Sequence, residues 1–303
     1  MDYTVFEPEL LSCGVSFSVG EGLAGHTTVC VGGSADYFVK PRTVAELIKC
    51  RELAMRCGVP CIILGRGSNV LVSDSGLRGA VLSTEGIDEI YVERVSGEDV
   101  YVRAFCGVAL SRLLGFCVKN RLSGTEFLFG IPGSVGGAIY MNAGCMGRAI
   151  GDITASVFSI QNERLTLLGG KECSFEYRSS AFQKGGACIV SALFRTKKAT
   201  FDEIEEKLAV YRAMRTLQPK GKSMGSVFKN GEIPAARAID ACGLKGMRIG
   251  GAVVSEVHAN FIINDGNASA TDVYCLIKTV KALVKERLGL TLCEEIRYIG
   301  EFR

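Results

Sequence analysis

Nowhere does this 303-residue chain carry a Cys-x-x-Cys pair, and it has only two histidines, His26 and His258. Both shortages argue against zinc, whose sites draw on clustered cysteine and histidine. No apolar run approaches the roughly 20 residues that a membrane-spanning helix needs. Internal repeats and low-complexity tracts are missing as well, which excludes solenoids and long disordered tails. Excess charge is scarce: 35 basic residues against 32 acidic ones leave a net charge of +3. That is too mild to point to nucleic acid, although it suits an anionic small substrate. The opening residues, Met1-Asp2-Tyr3-Thr4-Val5-Phe6-Glu7, are acidic and do not read as a signal peptide, so a cytoplasmic protein with no membrane partner is expected.

Cysteine itself is abundant. Thirteen are present, an odd number at irregular spacings, which reads as reduced thiols serving as small core residues rather than a disulfide framework. With 48% hydrophobic and 22% charged residues the chain is globular, and its length allows two or three domains.

The densest signal runs from Gly124 to Gly144. Six glycines and Pro132 alternate there with apolar residues such as Phe127, Leu128, Ile131, Val135 and Ile139. Glycine serves where backbone must approach a ligand or take a positive φ, so an ordered loop over something flat or phosphorylated is one reading. A tight turn between core strands is the other.

Upstream, His26 to Pro41 alternates like a strand pair around Gly32-Gly33. Thr43-x-x-Glu46 predicts a capping box, opening a helix whose stripe starts at Val44, Leu47 and Ile48 and which Gly58-Val59-Pro60 stops. The strand Cys61-Ile62-Ile63-Leu64 then runs into Gly65-Arg66-Gly67-Ser68-Asn69. That loop is neither a Walker A sequence nor a dinucleotide fingerprint, because no helical pattern follows it. It reads as a phosphate cradle or as a hairpin loop. Short alternating runs at 80–82, 89–92 and 100–102 predict antiparallel strands. A helix with Leu110, Leu113, Leu114, Cys117 and Val118 on one face precedes the central stretch. Beyond it, strands around 155–158 and 188–192 flank a polar insert containing Tyr177-Arg178-Ser179-Ser180-Ala181-Phe182.

A composition shift at 196–199 marks a domain boundary. Asp202-x-x-Glu205 is expected to cap a helix with Ile204, Leu208 and Tyr211 on one face. Next comes a basic, glycine-rich loop from Gln218 to Asn230. Pro234 and Gly243 bracket a short helix. A strand region at 253–264 holds His258, and 271–288 is the clearest helix, stopped by Gly289. A last strand at 290–299 carries Glu294 and Glu295.

Seven motifs now stand in order. They are Gly65-Arg66-Gly67-Ser68-Asn69, Gly130-Ile131-Pro132-Gly133-Ser134-Val135-Gly136-Gly137, Tyr177-Arg178-Ser179-Ser180, Gly225-Ser226-Val227-Phe228-Lys229-Asn230, Gly243-Leu244-Lys245-Gly246, Ser255-x-x-His258-Ala259-Asn260-Phe261 and Glu294-Glu295-Ile296-Arg297-Tyr298-Ile299-Gly300. Each is weak alone, but the ordered set resembles the UDP-N-acetylenolpyruvoylglucosamine reductase family over nearly the whole chain, in the branch lacking an extra substrate-covering loop.

The resemblance implies an α+β protein: a two-lobed FAD-binding region of the vanillyl-alcohol oxidase-like (PCMH) type, with lobes at 1–75 and 76–198, then an α+β substrate domain at 199–303. It implies non-covalent FAD, NADPH as reductant, and reduction of an enolpyruvyl ether of a nucleotide sugar by a monomeric enzyme. Catalytic positions carried over are Ser226, Arg178 and Glu295. The expected cofactor positions are Gly65, Arg66, Gly67, Ser68, Asn69, Gly130, Ile131, Pro132, Gly133, Ser134, Gly136, Gly137, Asn142 and Gly144. Arg215, Lys220, Lys222, Lys229 and Asn230 are expected on the substrate side. His26, Cys30, Ser34, Met146 and Gly231 depart from the pattern, which usually has Asn, Arg, Pro, Tyr and Pro there.

The chemistry fits these residue types on its own terms. Hydride addition to a conjugated enol ether pushes charge onto its carboxylate, which a permanent planar cation such as Arg178 suits. A hydroxyl such as that of Ser226 then protonates the other carbon. Glu295 either orients the carboxylate or completes the proton relay. Two other classes compete: an alcohol or lactone oxidase sharing the flavin half, and a non-catalytic flavin or nucleotide-sugar binder. The first lacks the C-terminal motifs, and the second has no use for Ser226, Arg178 and Glu295 together.

Overall fold

Thr43 begins the helix Val44–Arg56 by accepting the Glu46 amide on its hydroxyl at 3.1 Å. The Glu46 carboxylate answers one residue earlier than a strict box, accepting from the amide of Arg42 at 2.7 Å. Leu47, Cys50, Leu53 and Ala54 form its buried stripe. The computed structural model describes residues 3–161 and 164–302. Met1 and Asp2, which head the acidic start, and Asn162, Glu163 and Arg303 lie outside the described residues.

The chain divides into two compact units, each assembled from three segments. The first comprises 1–17, 39–66 and 80–216. The second comprises 18–38, 67–79 and 217–303. Strands Ser16–Gly22, Ser34–Lys40 and Leu77–Ser83 each run across a change of unit.

In the first unit an antiparallel sheet is ordered Arg164–Gly169, Thr154–Gln161, Cys188–Lys198, Asp99–Phe105, Ile90–Ser96, with Leu122–Ser123 also pairing with Cys188–Lys198. One face of it, including Val102, Ala104, Val157, Ala192 and Phe194, packs in one core with Leu110, Leu113 and Cys117 of helix Leu110–Lys119 and with Val135, Ala138 and Ile139 of helix Val135–Met141. Residues 80–82 are not part of an antiparallel meander as expected. They belong to Leu77–Ser83, which pairs parallel with Cys61–Leu64, the chain between the two returning through residues 65–76. The polar insert contains one more strand, Arg164–Gly169, than the sequence showed.

Helix Phe201–Thr216 closes the first unit. Its box is Thr200-x-x-Glu203 rather than Asp202-x-x-Glu205. Glu203 accepts from the Thr200 amide at 2.7 Å, and Thr200 Oγ1 accepts from the Glu203 amide at 3.3 Å. Ile204 and Leu208 are buried as expected of the stripe.

All thirteen cysteines are free thiols. Burial pushes Cys50, Cys106 and Cys117 up to about 12, and Cys173 and Cys188 up to about 11, so these thiols are unreactive core residues.

The second unit holds a four-stranded antiparallel sheet ordered Lys222–Ser226, Phe261–Asn264, Ala252–Val254, Arg248–Ile249. A parallel pair joins Val70–Val72 to Arg297–Ile299. The expected strand pair across 26–41 is absent. A 3-10 turn, Leu23–His26, precedes residues 27–33, and only Ser34–Lys40 forms a strand there, the Gly33 amide donating to Ser73 O at 2.8 Å and not to a hairpin partner. The last strand is likewise shorter than read, Arg297–Ile299, with Glu294 forming an isolated bridge to Phe228. Val29, Val31 and Leu71 share one core with Met224, Val227, Phe228, Ile262 and the helix Ala270–Leu288.

That helix is capped three ways. Ser269 and Asp272 form a reciprocal box, and Gly289 ends the helix at φ 70°. In addition the Asp74 carboxylate accepts from the amides of Ala270 and Thr271, both at 2.8 Å, and from Thr271 Oγ1 at 2.7 Å. Val273, Leu276, Ile277, Val280 and Val284 are buried, each worth roughly 1.5–3 kcal/mol, so packing outweighs any single cap of about 1 kcal/mol.

Burial opposes ionisation of Asp74, but the Thr271 hydroxyl and the two amides overcome it and hold the carboxyl below its usual value. A depressed carboxylate pKa contributes stability above the unfolded value and loses it as pH falls through the folded one. Asp74→Ala should therefore lower the unfolding free energy by about 1 kcal/mol at neutral pH without unfolding the protein. The gap to the unsubstituted protein should close in acid, as read by urea titrations across pH. A gap of constant size would show that the carboxylate charge is not what caps the helix.

Candidate functional site

In the first unit Gly65, from the first glycine-rich loop, meets the central glycine stretch. Gly65 ends the strand Cys61–Leu64, and a Cβ on it would lie 2.4 Å from Ser134 Oγ. Ser134 is the N-cap of helix Val135–Met141 and is buried. The turn is fixed by backbone bonds: Leu110 N to Gly133 O at 3.1 Å, Val135 N to Val108 O at 2.8 Å and Gly136 N to Cys106 O at 2.9 Å. Gly136 and Gly137 thus offer close approach rather than N–H donation, since the Gly137 amide reaches Ser134 Oγ at 3.4 Å. Gly137 is exposed, and a Cβ there would meet only Ser134 Oγ at 3.7 Å. Bare backbone at a strand end beside a capped glycine turn fits a flavin's diphosphate or ring edge.

Arg178 belongs to the same unit and has a strained backbone. Its φ is 54°, a region that costs a non-glycine residue about 1–3 kcal/mol and persists only when neighbours over-determine it. The neighbours are present. Glu176 and Ser179 exchange both backbone bonds at 3.1 Å, and Gln183 Nε2 donates to Arg178 O at 3.2 Å. Asn142, itself left-handed at φ 45°, donates from Nδ2 to Glu176 O at 2.8 Å and accepts the Gly151 amide at 3.0 Å. The guanidinium lies over the Tyr177 ring, 5.2 Å from its centroid, and Nη2 donates to Gly144 O at 3.2 Å. The side chains of Arg178 and Asn142 thus connect the Tyr-Arg-Ser-Ser motif to the end of the central glycine stretch.

In the second unit Ser226 ends the strand Lys222–Ser226 and pairs with Phe261. Between Ser223 and Ser226 the register slips, three steps here against two on Phe261–Asn264, with Gly225 at φ 74°. Such a bulge re-aims the residue that follows it. The next three residues are clasped on both sides. Asn260 O accepts from Val227 N at 2.9 Å, Asn260 Oδ1 from Phe228 N at 2.9 Å, and Asn260 Nδ2 donates to Phe228 O at 2.8 Å. Opposite, Glu295 N donates to Val227 O and Lys229 N to Cys293 O, both at 2.8 Å. The clasp brings together the stretches that carry Ser226, Lys229 and Glu295.

Several expected ligand-binding residues have structural duties. Asn69 Nδ2 donates to Glu295 O at 3.1 Å, and its carbonyl accepts from Arg297 N at 2.9 Å. Asn230 Oδ1 caps helix Ala235–Ala241 by accepting the Ala235 amide at 3.0 Å. Arg215 sits in the first unit, where Nε donates to Phe129 O at 2.8 Å and its stem packs on Gly130. Burial lowers its guanidinium from the ordinary value. Lys220 and Lys222 are exposed and Lys229 is half-buried, as are Ser68 and Ile131, while Arg66 and Pro132 are exposed.

Of the departures, His26 pairs with Glu21 at 2.9 Å and stacks on Phe38, centroids 4.0 Å apart. Cys30 and Met146 both take positive φ, and Ser34 starts its strand. Asn260 was visible in a motif, but no role attached to it, because its signal is a partner more than thirty residues away. His258 in the same motif is half-buried against Phe261, and burial holds its imidazole below the ordinary value.

Two family models match successive parts of the chain. Residues 35–161 match the family model of an FAD binding domain, and 218–299 that of the UDP-N-acetylenolpyruvoylglucosamine reductase C-terminal domain. The chain is 42% identical over 286 residues to the UDP-N-acetylenolpyruvoylglucosamine reductase of Carboxydothermus hydrogenoformans, covering 93% of each protein. It is 39% identical over 308 residues to that of Desulforamulus reducens, covering 99% of this chain and 100% of that protein. Among solved structures it matches UDP-N-acetylenolpyruvylglucosamine reductase from Thermus caldophilus with a TM-score of 0.79 at 32% identity, over 94% of this chain and 99% of that one.

Gly67 allows a direct test of whether the 65–69 loop holds a flavin. It has φ 58°, and a Cβ would sit 2.0 Å from His26 O, so a β-branched residue meets both strain and backbone. Gly67→Val is expected to purify colourless, with flavin content read from its visible absorption. A yellow protein with full flavin would remove Gly67 from the cofactor site.

Proposed function

This chain belongs to the UDP-N-acetylenolpyruvoylglucosamine reductase family, and from that premise we propose how its own residues carry the reaction. The enzyme is an FAD-containing oxidoreductase of peptidoglycan precursor synthesis. It uses NADPH to reduce the enolpyruvyl ether of UDP-N-acetylglucosamine-enolpyruvate to UDP-N-acetylmuramate. Bound FAD supplies hydride chemistry, linking oxidation of NADPH to reduction of the carbon–carbon double bond.

Arg178 is assigned to the substrate carboxylate, where negative charge accumulates as the double bond is reduced. A guanidinium held by its turn at a strained φ is pre-organised for that charge and needs no reorientation when it develops. Ser226 Oγ delivers the proton to the second carbon. Glu295, whose backbone is bonded to that of Val227, completes the relay that resupplies the hydroxyl. The observation that carries this reading is the clasp on Val227 to Lys229, which fixes the serine and glutamate stretches against each other through direct backbone bonds.

Gly65, Arg66, Gly67, Ser68 and the turn Gly130 to Gly137 are assigned to non-covalent FAD, with Asn142 and Gly144 as its support. Lys220, Lys222 and Lys229 are assigned to the anionic nucleotide sugar, and Arg215 and Asn230 to shaping the loops that meet it. Residues 1–75 and 76–198 then supply the flavin lobes and 199–303 the substrate domain. The matches to the FAD binding domain over 35–161 and to the reductase C-terminal domain over 218–299 support a flavin part followed by a substrate part. A monomer acting in the cytoplasm, without nucleic acid or membrane, completes the reading, since both substrates are nucleotides. Among the described residues no helix is long and apolar enough to cross a membrane.

The two half-reactions separate these roles. Ser226→Ala should leave anaerobic reduction of the flavin by NADPH near its normal rate, because that step takes no proton from the serine. Reoxidation by the enolpyruvyl substrate should fall by roughly 10²–10⁴-fold, the usual loss with a general acid. Ser226→Cys, with a more acidic group, should recover part of it. Equal damage to both half-reactions would mean that Ser226 shapes the site and is not the acid.

A further inference from the structure

Glu294 has no part in the chemistry assigned above, yet its carboxylate is occupied on both oxygens. Oε2 accepts from Lys281 Nζ at 2.7 Å, and Oε1 lies 3.8 Å from Lys278 Nζ. Only 19% of the Glu294 side chain and 27% of that of Lys281 is exposed, so the pair is shielded from the solvent that weakens surface ion pairs. Burial disfavours ionisation of Glu294, but the Lys281 hydrogen bond and both lysine charges outweigh it and hold the carboxyl below its ordinary value.

Both lysines lie on helix Ala270–Leu288, whose opposite stripe is the core of the second unit. This is the most firmly anchored element near the clasp, being packed along its length and capped at both ends. On the other side, Glu294 is bridged to Phe228. Its neighbours Cys293 and Glu295 make the two backbone bonds to Lys229 and Val227. Residues 290–296 belong to no regular element, so the strip depends on those backbone bonds, on Asn69 at Glu295 O and on the buried side chains of Leu292 and Ile296, with the Glu294 ion pair as its tie to the helix. Lys278 is braced in turn by the Tyr274 ring, 5.0 Å from its centroid, and Tyr274 packs edge-on against Tyr298.

We propose that Glu294, through its ion pair with Lys281, is a positioning residue that ties the Cys293–Glu295 strip to the helix and so sets Glu295 and Ser226 relative to each other. This rests on the roles assigned to Ser226 and Glu295. Its chemical logic is distance: a proton relay works only when donor and acceptor atoms are held at hydrogen-bond separation. Loosening a strip by about 1 Å can cost up to roughly 100-fold in rate without removing any reacting group.

The test uses the FAD-loaded enzyme and two readouts, with Ser226→Ala run in parallel. Glu294→Gln and Lys281→Met should reduce their flavin with NADPH normally but reoxidise about 10- to 100-fold more slowly. Hydrogen exchange at the amides of Lys229 and Glu295 should accelerate, while that of Val280 and Val284 in the helix stays slow. The reversed pair, Glu294→Lys with Lys281→Glu, should recover part of both losses. Glu294→Gln keeps the shape of the side chain and carries the test should Lys281→Met fail to fold. Normal reoxidation in Glu294→Gln beside a selectively impaired Ser226→Ala would overturn the proposal while leaving the serine's role intact. So would equal slowing of both half-reactions with faster exchange throughout the unit, which marks a mere structural prop. Should Ser226→Ala itself prove unselective, the serine's role falls, and the exchange rates decide on Glu294 alone: acceleration at Lys229 and Glu295 sustains the positioning, and no change overturns it.

Discussion

Buried backbone must be paired, and that rule governs the second unit at Val227, Phe228 and Lys229. Val227 and Phe228 are buried, so their peptide groups cannot turn to water. Asn260 satisfies three of those four groups, and the Cys293–Glu295 strip takes the fourth, Val227 O, together with the Lys229 amide. A typical bond of this kind contributes about 1 kcal/mol net, but an orphaned buried group costs about 1–3 kcal/mol, so the segment has one arrangement and no cheap alternative. The serine at its head, the lysine at its tail and the glutamate on the facing strip inherit their positions from this pairing.

How much of this was legible depended on whether the signal lay within one element. The helices at 44–56, 110–119 and 270–288 were read from stripes that fill one face, and packing confirmed each of them. Direction and partnership were harder. The strand containing 80–82 reads the same whether its neighbour is parallel or antiparallel, and only the strand order resolves it. The cap at Thr200 was displaced by two residues because Asp202 and Glu205 also satisfy the spacing, while the hydroxyl that bonds sits further upstream. The four asparagines teach the same lesson. Asn69, Asn142 and Asn230 are expected ligand contacts from sequence, and in the structure their amides also hold Glu295, the Glu176 turn and a helix start. Asn260 carried no assignment although it holds most of the clasp.

A motif therefore marks positions where composition is constrained without saying whether a ligand or the backbone imposes the constraint. Arg178 combines a proposed role with an unusual backbone. Its strained φ is held by Gln183 and Asn142, so several side chains maintain a conformation that folding alone does not favour. Cys30, Arg121, Asn142, Met146 and Ser174 share that positive φ, so the strain at Arg178 agrees with the role proposed for it and does not by itself assign one. The glycines differ from one another. A Cβ on Gly65 would clash with the Ser134 hydroxyl at 2.4 Å, while one on Gly137 would make only an ordinary contact with it at 3.7 Å.

The second unit's segmented make-up reaches into biosynthesis. Val29, Val31 and Leu71 leave the ribosome early, yet the residues that complete their core lie beyond Leu217. The strand Val70–Val72 has its parallel partner at Arg297–Ile299, more than two hundred residues later. At translation rates of about 5–20 residues per second, these apolar segments wait on the order of ten seconds or more without native partners. The first unit's sheet, by contrast, is complete once helix Phe201–Thr216 has emerged. Holdase chaperones and the cell's synthesis rate thus bear on the yield of active enzyme through residues 18–38 and 67–79, far upstream of the chemistry.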